Sequence, residues 1–330
     1  MSHVRVSTGA RLHFGFVDLS LDHERLYGSL GVGLDEPRTV VTAEPAQGVE
    51  CGREPAREYA ERAVDLLDLP GASVTVERAL PRHVGLGSGT QLALAVLSAV
   101  ARAHGREPEV RSRAPDLGRA GRSGVGVATF ERGGFVVDGG HPSDAFTADR
   151  PADGTWTTPP LTVRRGVPDD WRFLVVVPDA DVGRNGDCED ESMRRVIEDA
   201  DPAVGDQVAG TVLRRLLPAI AEGSAARFGA AAERIGRLNG TWYADEQSGT
   251  YRAPVGRLVD ALGDEPSCFG VGQSSWGPCV YAVTDERHAA QARRAGRDAL
   301  RAADVAGDVR VAAPRNDGAD VERVERAERA

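Results

Sequence analysis

From Val84 to Ala101 no side chain is charged, in a chain where 27% of the residues are. The first part of this run is Gly, Ser, Thr and Gln, which leaves about ten apolar residues, against the ~20 that a bilayer span requires. It therefore reads as a glycine-rich turn feeding a largely buried helix, Ser88–His104, and not as a membrane helix. A helix without a polar face must be covered on several sides, which calls for a layered fold.

The surrounding sequence supplies the layers. Val4–Ser7, Thr39–Ala43 and Ser73–Glu77 read as strands, Ala56–Leu69 as a helix, and Ala128–Val137 as a strand pair around Gly133-Gly134. Pro, Thr and Asp concentrate from Pro151 to Pro168, as at a domain junction. Beyond it, strands are expected at Phe173–Val177, Cys279–Thr284 and Val309–Ala313. Helices are expected at Asp206–Ala221, Ala225–Leu238, Arg252–Leu262 and from about Glu286 to Ala303. The pattern is α+β, with domains at 1–160 and 161–316 and a charged tail, 317–330, expected to fray.

Length agrees with two domains, since 330 residues is about twice the usual domain size. The net charge is −10, and all forty basic residues are Arg. Lysine chemistry is thereby excluded, and the acidic field disfavours nucleic acid and membrane surfaces as partners. The four cysteines have neither zinc-site pairing nor the density of a secreted scaffold, so reduced thiols in a cytoplasm are expected. No signal-peptide core opens the chain.

Four segments have the makings of a site. Pro81–Gln91 places three glycines and two hydroxyls at a helix entrance, where freed N–H groups and the helix dipole suit phosphate or pyrophosphate. The same residues also fit a capped turn, with Ser88 and Gln91 as a capping box. Cys268–Pro278 is a second glycine-rich turn, which reads locally as a wide hairpin anchored by Trp276. Gly118–Gly126 carries Arg119 and Arg122, whose forks match phosphate or carboxylate, although a solvated loop would hold them equally. Alternation puts Arg11 and His13 on one strand face.

In this order and spacing the segments resemble the GHMP superfamily of small-molecule kinases and, within it, the β-ribofuranosylaminobenzene 5′-phosphate synthases. The residues that carry the resemblance are Ala10–Gly15, His83–Leu92, Gly121–Gly124 with Phe130–Phe135 and Asp138–Gly140, and Gly272–Pro278. It implies a two-domain fold, each domain a mixed or antiparallel sheet with helices, and an active site between them. The implied reaction is decarboxylating transfer of ribosyl 5-phosphate from phosphoribosyl pyrophosphate to 4-aminobenzoate or 4-hydroxybenzoate. Carbon dioxide and pyrophosphate leave, as in tetrahydromethanopterin biosynthesis.

The resemblance assigns Gly85, Gly87, Ser88, Gly89 and Thr90 to pyrophosphate together with Mg²⁺, and Ser123 and Gly124 to phosphate. Arg119 and Arg122 take phosphate or carboxylate, and Arg11, His13 and Asp18 the aromatic acid or metal. Gly272, Gln273, Ser274 and Ser275 take substrate. A homodimer is left open. The alternative is an ATP-dependent kinase of the same superfamily, but Gly126 stands where the kinases carry a catalytic Asp. The segment 182–191 aligns loosely and has no assigned role.

Overall fold

The computed structural model describes residues 3–149, 151–180, 187–247 and 249–324. Two long antiparallel strands, β1 (His3–Asp18) and β2 (Arg25–Pro45), form its spine. Their register shifts between Gly9 and Arg11 and again between His13 and Gly15, and such irregularities bend a strand and re-aim its side chains. Then come β3 (Gly48–Glu50), α1 (Ala56–Leu66), β4 (Gly71–Arg78), α2 (Ser88–Ala103), α3 (Val110–Arg113) and α4 (Val125–Arg132). The first half ends with β5 (Phe135–Asp138), β6 (His141–Pro142) and β7 (Leu161–Arg165).

The second half opens with β8 (Trp171–Pro178), followed by α5 (Asp187–Glu198), α6 (Pro202–Thr211), α7 (Leu217–Ala221), α8 (Ala225–Trp242), α9 (Ala244–Gln247) and α10 (Val255–Gly263). It closes with β9 (Val271–Gln273), β10 (Val280–Asp285), α11 (Ala289–Ala302), β11 (Gly307–Ala312) and β12 (Asp320–Val324). One sheet runs β12-β1-β2-β4-β3, with β5 and β6 on β2 and β7 on β5. The other is antiparallel, in the order β11-β8-β10-β9. The fold is a two-domain α+β sandwich, as the resemblance implies.

Helix α2 is buried along almost its whole length and packs with α1 and the inner faces of β1, β2 and β4. A second core joins the halves: Phe14 of β1 lies 5.8 Å from Phe228 of α8 and 4.9 Å from Tyr281 of β10, both edge-on.

The expected strand pair at Ala128–Val137 is corrected to a helix and a strand. Ala128–Arg132 is the end of α4, and Gly133-Gly134 makes the turn into β5. A short apolar run of Val, Thr and Phe buried on every side looks alike in either state. The domain boundary also moves, because β7 pairs with β5 in the first sheet and the chain crosses only afterwards. The expected fraying is corrected as well: Asp320–Val324 pairs antiparallel with His3–Ser7, and Arg315 exchanges backbone hydrogen bonds with Gly33 and Gly134. Open backbone donors on the edge of β1 outweigh the tail's charge. Residues 325–330 lie outside the described residues.

Candidate active site

The N-terminus of α2 is left open by the protein. Gly87 is the N-cap, with φ 78° in the left-handed region, and no side chain caps the helix. The first intrahelical bond runs from Gln91 N–H to Gly87 C=O at 3.0 Å, so the N–H groups of Ser88, Gly89 and Thr90 precede any helical acceptor. The capping-box expectation fails because the Gln91 amide is used elsewhere. It accepts from Thr8 Oγ1 at 2.6 Å and donates to Gly126 C=O at 2.9 Å.

This helix end faces a cavity of about 460 Å³. Among the described residues five arginines line it, Arg11, Arg53, Arg82, Arg119 and Arg122, against two carboxylates, Glu54 and Asp190. In an acidic chain that excess is local and aimed at anions. Arg119 donates to the Tyr59 hydroxyl and lies 5.2 Å above its ring. A Cβ on Gly89 would stand 3.1 Å from its Nη1, so the guanidinium sits directly beside the first turn of α2. Arg122 pairs with Asp190.

Both glycine loops are tied to β1. Gly85 C=O accepts from Arg11 Nη1 at 2.8 Å and from Ser274 Oγ at 2.7 Å. Ser274 Oγ in turn accepts from His13 N–H at 3.0 Å. A Cβ on Gly85 would lie 2.2 Å from the Ser274 carbonyl oxygen, a contact only glycine permits. Burial lowers the Arg11 pKa to about 10, which leaves it charged at neutral pH, with its Nε buried and without a partner.

A smaller chamber of about 180 Å³ adjoins the first and shares Arg11, Arg122, Ser275 and Trp276 with it. Its walls are more aromatic, with Phe16, Tyr243 and Tyr251 beside Trp276, whose ring meets Tyr243 edge-on at 5.0 Å. Among the described residues Trp276 Nε1 has no hydrogen-bond partner. His13 also lines this chamber. Burial, and then the nearby Arg11 charge, push its pKa well below the usual value, so it is neutral. Its Nδ1 is buried without a partner.

The larger cavity thus gathers Arg11, Gly85, Gly87, Ser88, Gly89, Thr90, Arg119, Arg122 and Ser275. The smaller adds His13, Ser123 and Gln273. Four expected residues fall outside both. Asp18 ends β1 in an ion pair with His23 and lines neither chamber. Gly124 N–H is already donated to Asp138 Oδ2 at 2.8 Å and is lost to phosphate. Gly272 is paired in β9 opposite Tyr281, and Ser274 is a buried strut between the loops. Of segment 182–191, residues 182–186 and the side chains of 187–189 lie outside the described residues, while Asp190 reaches Arg122.

Tyr59, Tyr243, Tyr251 and Asn239 reach the site from distant elements, and no local signal marks them. Asp190 lies in the loosely aligned segment 182–191, and Trp276 packs against the core, as expected, while also lining both chambers.

Two family models match, GHMP kinases N terminal domain over residues 56–134 and GHMP kinases C terminal over 216–302. Beta-ribofuranosylphenol 5'-phosphate synthase of Methanothermobacter thermautotrophicus is 34% identical over 301 residues, covering 86% of this chain and 89% of the relative. The enzyme of that name from Archaeoglobus fulgidus is 33% identical, covering 86% and 88%. Among solved structures, homoserine kinase from Cytophaga hutchinsonii superposes with a TM-score of 0.66 at 17% identity, covering 97% of each chain. Mevalonate pyrophosphate decarboxylase from Streptococcus pyogenes gives 0.66 at 12% identity, covering 95% of this chain and 97% of the other. These two likenesses speak to the fold alone.

Proposed function

Because the chain belongs to the β-ribofuranosylphenol 5′-phosphate synthases of the GHMP superfamily, a pentosyltransferase family, we propose that it transfers ribosyl 5-phosphate from phosphoribosyl pyrophosphate to an aromatic acid. The acid is 4-hydroxybenzoate or 4-aminobenzoate, and it loses its carboxylate as carbon dioxide. One observation carries the reading: an uncapped helix N-terminus ringed by arginines shares a wall with an aromatic-lined chamber.

The pyrophosphate sits at the first turn of α2, where Ser88, Gly89 and Thr90 N–H groups and Arg119 stabilise the charge that develops as it leaves. Arg53 and Arg82 remain for the 5′-phosphate. The ring occupies the smaller chamber, whose 180 Å³ compares with the ~150 Å³ that accepts benzene in a protein core. Arg11 and Arg122, on the shared wall, hold the ring carboxylate so that its carbon faces the anomeric carbon, and orientation of this kind is a large part of the rate gain. Trp276 and Tyr243 keep the ring flat against that approach.

The kinase alternative is disfavoured because Gly126 supplies no carboxylate, and a Cβ there would stand 2.9 Å from Thr90 Cγ2, so Thr90 would have to shift to admit one. For Mg²⁺, the cavity offers Glu54 and an Asp190 engaged by Arg122. Among the described residues no group of three His, Cys, Asp or Glu could hold an ion. Mg²⁺ usually rests on one or two carboxylates together with substrate phosphates, so Glu54 and Asp190 are the residues that would hold an ion arriving with the pyrophosphate. No helix among the described residues is long and apolar enough to cross a membrane.

The test is to incubate the protein with phosphoribosyl pyrophosphate and each acid and weigh the product. A ring bonded to ribose phosphate and lacking its carboxylate supports the reading, while a product that retains the carboxylate contradicts it.

A further inference from the structure

Asp138 is a buried carboxylate that the proposed chemistry leaves unused. It ends β5, and every contact it makes is from a donor: Ser29 Oγ–H and Gly124 N–H at 2.8 Å on Oδ2, and Gly140 N–H at 2.9 Å on Oδ1. Two of the three are backbone N–H groups, one on each oxygen, and both stabilise the carboxylate. Because Ser29 spends its only proton on Asp138, its oxygen must accept from Ser123, whose Oγ lies 2.6 Å away. Ser123 Oγ also accepts from Val125 N–H at 3.3 Å. Its one remaining site is a lone pair, and Ser123 lines the smaller chamber.

With its proton given to Ser29, the Ser123 hydroxyl offers a ligand in the chamber an acceptor rather than a donor. It suits a hydroxyl or amino group. We propose that Ser123, Ser29 and Asp138 form a proton relay that accepts the proton of the ring's para hydroxyl or amino group as the ring attacks ribose. The inference rests on the reading of the smaller chamber as the aromatic-acid site.

The step balances. The para O–H bond breaks, its proton passes to Ser123, that of Ser123 to Ser29, and that of Ser29 to Asp138. The freed electron pair makes the ring carbon–anomeric carbon bond while pyrophosphate departs with the pair of the broken C–O bond. Loss of carbon dioxide then returns an electron pair to the ring, and the para oxygen takes its proton back. Burial raises the proton affinity of Asp138, while its donors oppose that effect. Among the described residues the other titratable and charged groups around the relay are Arg11, His13, Arg122, Tyr243 and Tyr251 on the chamber side. Behind it lie Arg25, which donates to the Gly139 and Gly140 carbonyls, and His141 near the Ala120 carbonyl.

The test compares the parent with Ser123→Ala on 4-hydroxybenzoate from pH 7 to about 10, where an unperturbed phenol ionises by itself. The relay predicts a fall in kcat of about a hundredfold or more at pH 7, narrowing as the pH rises, with KM for phosphoribosyl pyrophosphate within threefold. A fall below threefold at pH 7, or one equally large at every pH, overturns it. If the parent itself does not turn over, the proposed reaction fails, and calorimetry then judges the relay. The parent should bind 4-hydroxybenzoate about tenfold tighter than benzoate, and Ser123→Ala should not. An equal preference in both proteins overturns the relay.

Discussion

Gly87 fixes how closely an anion can approach α2. Its φ of 78° and the 2.8 Å that would separate a Cβ from Arg11 Cγ mean that Gly87→Val both strains the backbone and pushes Arg11 off Gly85. The variant should stay folded yet lose phosphoribosyl pyrophosphate binding by calorimetry. Normal binding in a folded variant would reduce the loop to a helix start. Arg122 offers a second check, since it stands on the wall common to both chambers and its fork holds an oxyanion in one orientation. Arg122→Lys keeps the charge and gives up about 1.5–3 kcal/mol of bidentate hydrogen bonding. That corresponds to a fall in kcat/KM of about one to two orders of magnitude, and steady-state kinetics within twofold of the parent would remove Arg122 from the site.

Between elements, the contact that sets the smaller chamber is α8 against the bulge of β1. Asn239 Oδ1 accepts from Phe16 N–H at 2.7 Å, and its Nδ2 donates to Phe16 C=O at 3.0 Å. Asn239→Ala strands buried backbone groups, at a cost of about 2–4 kcal/mol, and the urea midpoint should fall accordingly. A midpoint shift worth less than about 0.5 kcal/mol, the usual range for surface changes, would show the strap to be idle. At this scale the sequence was legible where helical spacing ran long, as in α1, where an uncharged run was long enough for a buried helix, as in α2, where side chains alternated, as in β1, and where a short apolar run stood alone, as in β8. It was illegible at α4, whose eight residues are too few and too buried for their period to show. The glycine-rich turn into α2 could be read from its own residues, because a turn and a helix start are local. The aromatic chamber could not, because Phe16, Asn239, Tyr243 and Trp276 meet only through the docking of two halves.

Over the whole molecule that docking is a shared core. Phe14 and Phe135 of the first sheet pack with Phe228 of the second half, and the chain after β11 returns to pair with β1. A tail judged by its charge alone looks solvent-borne; its strand-forming backbone is visible only once β1 is known to have an open edge. With the two halves joined, the open helix end and the aromatic chamber are held against each other, which is what the proposed coupling of ribose transfer to decarboxylation requires. The most direct test is the stoichiometry of a single reaction: phosphoribosyl pyrophosphate with carboxyl-labelled 4-hydroxybenzoate or 4-aminobenzoate, following pyrophosphate and labelled carbon dioxide together. We expect the two to appear in a one-to-one ratio. Pyrophosphate without carbon dioxide would make the protein an ordinary phosphoribosyltransferase and contradict the account.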